Sequence, residues 1–209
     1  VKEDIVRFRS GQYEIEGVFH AGNPVYGAVI THPHPLYGGD MANPVVAAIA
    51  AAYQTRGFTT LRFNFRGTGR STGTYDQGIG EQVDVTAAVG FLKSKGVREV
   101  HLSGYSFGAW VNTLALQGGL AVQGMTMVAP PVAFIEFSDG IHLPKLSTVV
   151  AGSRDAYAPP ERIRPLMTQW NPEARMEIVD GADHFFSGFL KDLTRILVDR
   201  IEPVQSQVG

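Results

Sequence analysis

Three short stretches carry the residue types that acyl transfer needs. Residues 104–108 read Gly-Tyr-Ser-Phe-Gly, a serine held between two glycines. Asp155 stands just past the apolar run LSTVVAG (146–152), and His184 just past ARMEIVD (174–180). A serine hydroxyl is a weak nucleophile, so an imidazole must take its proton during attack and return it to the leaving group. A carboxylate then fixes the imidazole tautomer and stabilises its charged form. A G-x-S-x-G match alone is a pentapeptide of turn residues that arises by chance. Here serine, acid and histidine follow one another in that order, each beyond the end of a β-rich run, and that conjunction carries the signal. Asp183 is the alternative acid; neighbouring side chains diverge from a tight loop, which disfavours it beside His184.

Such residues need a scaffold that gathers them. DIVRFRS (4–10) and YEIEGVFH (13–20) alternate apolar and polar residues across Gly11-Gln12, which predicts an antiparallel hairpin. Six further apolar runs follow at 26–32, 59–65, 99–105, 122–129, 146–152 and 174–180. Helical periodicity lies between them. One helix opens at Asn43-Pro44, a capping residue with proline behind it, and stops at Gly57. A second, 81–96, places Val83, Ala87 and Phe91 on one face with Ala88 and Leu92 beside them. Others are expected after Ser106, near Pro159 and near Ser187. Strands alternating with helices predict an α/β fold, a mostly parallel, doubly wound sheet with helices on both faces. In that architecture reactive groups gather at the carboxyl ends of the strands, where these three residues fall.

The 209 residues fit a single domain spanning 1–209, long enough to bury roughly 70% of the unfolded surface. A 44% hydrophobic and 18% charged composition is that of an ordinary soluble protein. Net charge is −2, which advertises neither nucleic acid nor an anionic membrane as partner. There is no cysteine, so disulfides, thiolate nucleophiles and cysteine metal sites are excluded together. No apolar run is long enough to span a bilayer, and the first ten residues, VKEDIVRFRS, are too charged for a signal peptide. A cytoplasmic location is the expectation. The tail EPVQSQVG reads as a frayed end.

With the loops THPHPLYGGD, NFRGTGRS, GYSFG and GADHFF in view, the chain resembles the α/β-hydrolases, whose nucleophile elbow is followed by an acid and then a histidine. Within them it is similar to a small, lidless bacterial group of serine hydrolases and esterases. The resemblance implies Ser106 as nucleophile, His184 as base and Asp155 as orienting acid. It also implies an oxyanion hole of two backbone N–H groups. One comes from Phe107, at a helix start where amides are unpaired. The other comes from the 32–39 loop, where Pro33 and Pro35 have no N–H; the family's pattern maps onto His34, with Leu36 as the fallback. The connection 131–145 is too short for a helical cover, so the site is expected to be open and to favour short or medium acyl groups.

The aromatic residues near these loops include Tyr37, Phe134, Tyr157 and Phe185, taken as the walls of an apolar acyl pocket, together with Phe107, Phe137 and Phe186. His32 and His34 lack a third ligand at metal spacing, so His32 is expected to brace its loop. Gly67 and Gly69 imitate a dinucleotide fingerprint, but the third glycine comes late, at Gly73, and no helix opens there. Arg66 and Ser71 are expected to tie neighbouring loops together, with a charged substrate for Arg66 and Arg70 as the alternative. The expected activity is carboxylesterase-like: hydrolysis of a small-molecule ester or thioester, with no metal or other cofactor and oligomeric state open. A peptidase or lactonase with the same residues is the rival, and a catalytically silent binding module the rival of another class.

Overall fold

The computed structural model describes residues 2–138 and 140–204, so 205–209 of the C-terminal tail lie outside the described residues. Its strands are β1 (Asp4–Ser10), β2 (Tyr13–His20), β3 (Asn23–Thr31), β4 (Phe58–Phe63), β5 (Glu99–Tyr105), β6 (Gly124–Val128), β7 (Leu146–Gly152) and β8 (Arg175–Val179). They form one eight-stranded sheet in the order β1-β2-β4-β3-β5-β6-β7-β8. The leading hairpin is antiparallel, in register from Asp4 opposite Phe19 to Ser10 opposite Tyr13. Its turn uses Gly11 at φ 57°, a left-handed conformation that glycine takes without steric cost. β2 joins β4 antiparallel, and every later pairing is parallel.

Every residue of β6 is buried, as are the last four of β5, because helices cover both faces of the sheet. The helix α1 (Pro44–Thr55) packs on α5 (Leu190–Arg200), while α2 (Ile79–Ser94) packs on α3 (Phe107–Gln117). A fifth helix, α4 (Pro160–Trp170), lies against β7. The start of α1 follows its sequence: Asn43 Oδ1 accepts from the Val45 N–H at 2.9 Å, and Pro44 occupies the first turn.

Two expectations are corrected. The run 59–65 leaves the sheet after Phe63: the next amide still reaches β2, and the one after it turns to a side chain. Asn64 N–H donates to Glu16 O at 3.0 Å, and Phe65 N–H to His32 Nε2 at 3.0 Å. In α2 the buried stripe is Glu81, Asp84, Val85, Ala88, Val89 and Leu92, whereas Val83 is half exposed. The helix is rotated because its acids have buried partners. Arg66 donates to both Asp84 oxygens, at 2.8 and 3.1 Å, and Ser10 Oγ donates to the same carboxylate at 2.6 Å. Glu81 accepts from the Asp76 and Gly78 N–H groups at 2.8 Å each, capping the helix start.

The connection from β6 to β7 consists of turns and bends, with no helix among its described residues. It is held down by Phe137 on Trp170, ring centres 5.0 Å apart, and by the Leu143 N–H to Trp170 O bond of 2.7 Å. Among the described residues no helix is long and apolar enough to cross a membrane.

Candidate active site

The turn out of β5 is built around steric exclusions. Ser106 has φ 53° and ψ −120°, a conformation that non-glycine residues rarely adopt and that stores strain. The flanking glycines are what make it possible. A Cβ on Gly104 would sit 2.5 Å from the Ala109 nitrogen, and one on Gly108 would sit 2.6 Å from Thr31 Oγ1 and 2.7 Å from Thr31 O. Strand, turn and helix therefore close to backbone contact, which lifts Ser106 out at the head of α3.

Two other strand ends deliver the partners. Asp155 follows β7 and is fixed by the Tyr157 and Ala158 N–H groups, each 2.8 Å from its Oδ1. His184 follows β8, and its Nδ1 lies 2.8 Å from Asp155 Oδ2 and 3.0 Å from Oδ1. Its Nε2 lies 2.9 Å from Ser106 Oγ. A carboxylate can only accept, so the geometry suits the tautomer with its proton on Nδ1 and with Nε2 as the acceptor facing the serine hydroxyl. All three side chains are buried. Asp183 is turned away: its Oδ1 accepts from the Phe185 and Ser187 N–H groups at 3.1 and 3.3 Å.

Tyr105 was not assigned a role by the sequence. Its hydroxyl donates to His184 O at 2.9 Å, tying the histidine loop to the elbow, and its ring centre lies 5.5 Å from that of His184. Burial, with the nearby charges of Asp155 and Asp183, pushes this phenol well above its ordinary pKa, so it stays a neutral donor.

The loop after β3 folds around its two histidines. His32 accepts the Phe65 N–H on Nε2, so its proton is on Nδ1, 2.7 Å from Pro33 O. Both ring nitrogens are spent on bracing the loop. Burial holds the His32 pKa down to about 4, so the ring is neutral. The His34 ring accepts from the Leu36 N–H at 3.2 Å, and its Nε2 meets the Tyr75 hydroxyl at 3.2 Å. Leu36 N–H is thereby engaged, and Leu36 does not border the cavity described next. Among the described residues neither the His34 N–H nor the Phe107 N–H finds an acceptor in a loop, turn or cap, and both residues border that cavity.

The cavity holds about 290 Å³ over Ser106 and His184. Tyr37, Phe134, Tyr157 and Phe185 form much of its wall, with Pro131 and Ile135 between them. Phe137 and Phe186 are buried in the core instead, and Phe107 is buried yet borders the cavity. Arg66 and Arg70 lie outside it. Arg66 is occupied by Asp84 and stacks 5.0 Å over Tyr13, and Ser71 Oγ donates to Asn64 O at 2.7 Å while accepting from the Glu16 N–H. These side chains tie loops together. Gly67 and Gly69, at φ 72° and 57°, shape that same junction, with Gly69 lying directly over Asn64 and Glu16.

The site thus places a strained serine after the fifth strand, an acid after the seventh and a histidine after the eighth. The structure is similar to that of an alpha/beta serine hydrolase homologue from Coxiella burnetii, with 32% identity, a TM-score of 0.84, and 96% and 97% of the two chains covered. It is similar also to an alpha/beta serine hydrolase without lid from Xanthomonas campestris, with 28% identity, a TM-score of 0.86, and 98% and 97% covered. An uncharacterised protein of Rickettsia prowazekii is 31% identical over 189 residues, which are 86% of this chain and 79% of that one. The sequence profile of the alpha/beta hydrolase family matches residues 28–205. With that profile matched over most of its length, the chain belongs to the alpha/beta hydrolase family.

Proposed function

We propose that the chain is a serine hydrolase of carboxylesterase type that cleaves small-molecule esters or thioesters through an acyl-enzyme. One observation carries the reading: Ser106 Oγ, His184 and Asp155 form a continuous hydrogen-bonded relay beneath an apolar cavity. In the first half-reaction Ser106 Oγ attacks the carbonyl carbon while His184 Nε2 takes the hydroxyl proton. Negative charge moves to the carbonyl oxygen, where the N–H groups of Phe107 and His34 would receive it. Collapse expels the alcohol or thiol, which leaves with the proton from His184. Water then repeats the sequence on the acyl-enzyme and restores Ser106. Asp155 stays ionised throughout, holding the Nδ1–H tautomer and stabilising the imidazolium. Every group this sequence needs is supplied by the chain, so it calls for no metal or organic cofactor. Of the two candidates in the loop after β3, His34 is preferred because the Leu36 N–H is already bonded to the His34 ring.

A serine-directed fluorophosphonate tests the reading. It should label Ser106 alone and fail on Ser106→Ala; labelling that survives in that variant would refute the nucleophile. With p-nitrophenyl acetate, Asp155→Asn should remain folded yet lose about 10⁴-fold in kcat by favouring the wrong tautomer. Asp183→Asn should stay near the parent rate. The opposite pattern would make Asp183 the acid.

A further inference from the structure

Large aromatic side chains left in water need a reason. Among the described residues four are strongly exposed, Tyr37, Phe134, Tyr157 and Phe185, between 43% and 74%, and all four border the cavity over Ser106. They are not scattered. Tyr37 meets Phe134 at 6.0 Å and 68°, and Phe134 meets Tyr157 at 6.0 Å and 76°. Tyr157 then lies 4.9 Å from the His184 ring, which Phe185 meets edge-on at 5.6 Å and 84°. A continuous arc of rings thus runs over the reacting serine. Neighbouring rings mostly stand edge to face, so the arc offers both ring faces and ring edges, which is what another aromatic ring packs against.

The second observation is electrostatic. No Lys, Arg, Asp or Glu is among the described residues bordering the cavity, and its two histidines, His34 and His184, are committed to Tyr75, Leu36, Asp155 and Ser106. Two carboxylates stand close by, Asp155 bonded behind His184 and Asp183 beside it in the chain, and after burial both raise the Tyr105 pKa. Among the guanidinium groups of the neighbouring loops, Arg66 is paired with Asp84, and Arg70 and Arg154 are exposed and do not border the cavity. An anionic group in the cavity would lose its water and meet no countercharge.

We infer that the ester this site takes carries an uncharged aryl group beside the scissile bond, seated in the arc of Tyr37, Phe134, Tyr157 and Phe185. This rests on the ester-hydrolase reading and narrows it to a substrate class. A merely hydrophobic pocket would favour a saturated ring at least as well, since that ring has more apolar surface to remove from water. Ring-to-ring packing reverses the order. Anionic analogues are excluded by the missing countercharge.

Matched esters test it, with the ring on the acyl side (methyl 3-phenylpropanoate against methyl 3-cyclohexylpropanoate) and on the alcohol side (benzyl against cyclohexylmethyl acetate). In at least one pair kcat/KM should favour phenyl by about two- to tenfold. A 4-carboxylate on the preferred ring should lower kcat/KM by about tenfold or more. In Phe134→Leu and Tyr157→Leu the phenyl-to-cyclohexyl ratio should fall toward one, whatever happens to the separate rates. If cyclohexyl equals or exceeds phenyl in both pairs, or if the carboxylate is accepted equally, the inference is overturned while ester hydrolysis stands. A ratio that Leu replacement leaves unchanged overturns the arc as its source. If none of these esters is cleaved although fluorophosphonate labels Ser106, the ester reading falls and takes the inference with it.

Discussion

Ser106 is held where glycine would be at ease, and its strain has a measurable sign. At φ 53° an L side chain is unfavourable, and the two glycines beside it permit the turn without removing that cost. Ser106→Gly should therefore be more stable than Ser106→Ala by about 1–2 kcal/mol in urea unfolding, because glycine relieves the strained φ that alanine keeps. Equal stabilities would mean that the elbow is not strained. The serine, the acid and the histidine were legible because each is a reactive type placed at a predicted strand end. Tyr105 and Tyr75 were not. A tyrosine whose hydroxyl tethers a loop has the same sequence signature as one that merely fills space, and only the 2.9 Å bond to His184 O and the 3.2 Å contact with His34 separate the two.

Among the elements, the strands and their order of appearance were readable from apolar runs and turn residues, but the face of α2 was not. Periodicity put Val83, Ala87 and Phe91 on one face, but Asp84 is buried because Arg66 and Ser10 reach it from outside the helix, and Glu81 because it accepts from the Asp76 and Gly78 amides just before the helix. A rule that sends charges outward fails wherever tertiary structure supplies the partner. The loops after β3 and β4 are joined by a comparable device, the neutral His32 ring accepting from the Phe65 N–H. Its pKa is near 4 when folded and about 6.5 when unfolded, so between those values the unfolded chain binds a proton that the folded chain refuses. Its contribution is complete above about pH 6.5 and is lost as pH falls toward 4, by about 3 kcal/mol over the window. Urea titrations of the parent and His32→Gln across that range should differ in slope accordingly. Parallel curves would show that the ring is not buried neutral.

At the scale of the molecule, the cavity has no helical cover from the β6–β7 connection, whose Pro131, Phe134 and Ile135 form wall and whose Phe137 packs on Trp170. With no cover to displace, the rate should follow dissolved substrate and should not jump when an ester exceeds its solubility. On p-nitrophenyl esters kcat/KM should peak at a short or medium acyl group, since each further methylene contributes about 0.8 kcal/mol only while it leaves water. A steady rise through palmitate would reveal a longer groove. The strand order has another consequence. β8 closes the sheet on one side, bonds to a single neighbour and is five residues long, yet it is the strand that delivers His184. The nucleophile stands on the interior strand β5, while its base hangs from a margin. Margins of a sheet open at lower free energy than its centre, so fraying of β8 would separate His184 from Ser106 while the rest of the sheet stayed whole. Ester cleavage should accordingly disappear at a lower urea concentration than the far-ultraviolet dichroism, and coincident transitions would show that β8 melts only with the whole. On that footing the working lifetime of the molecule is set by its weakest border and not by its core.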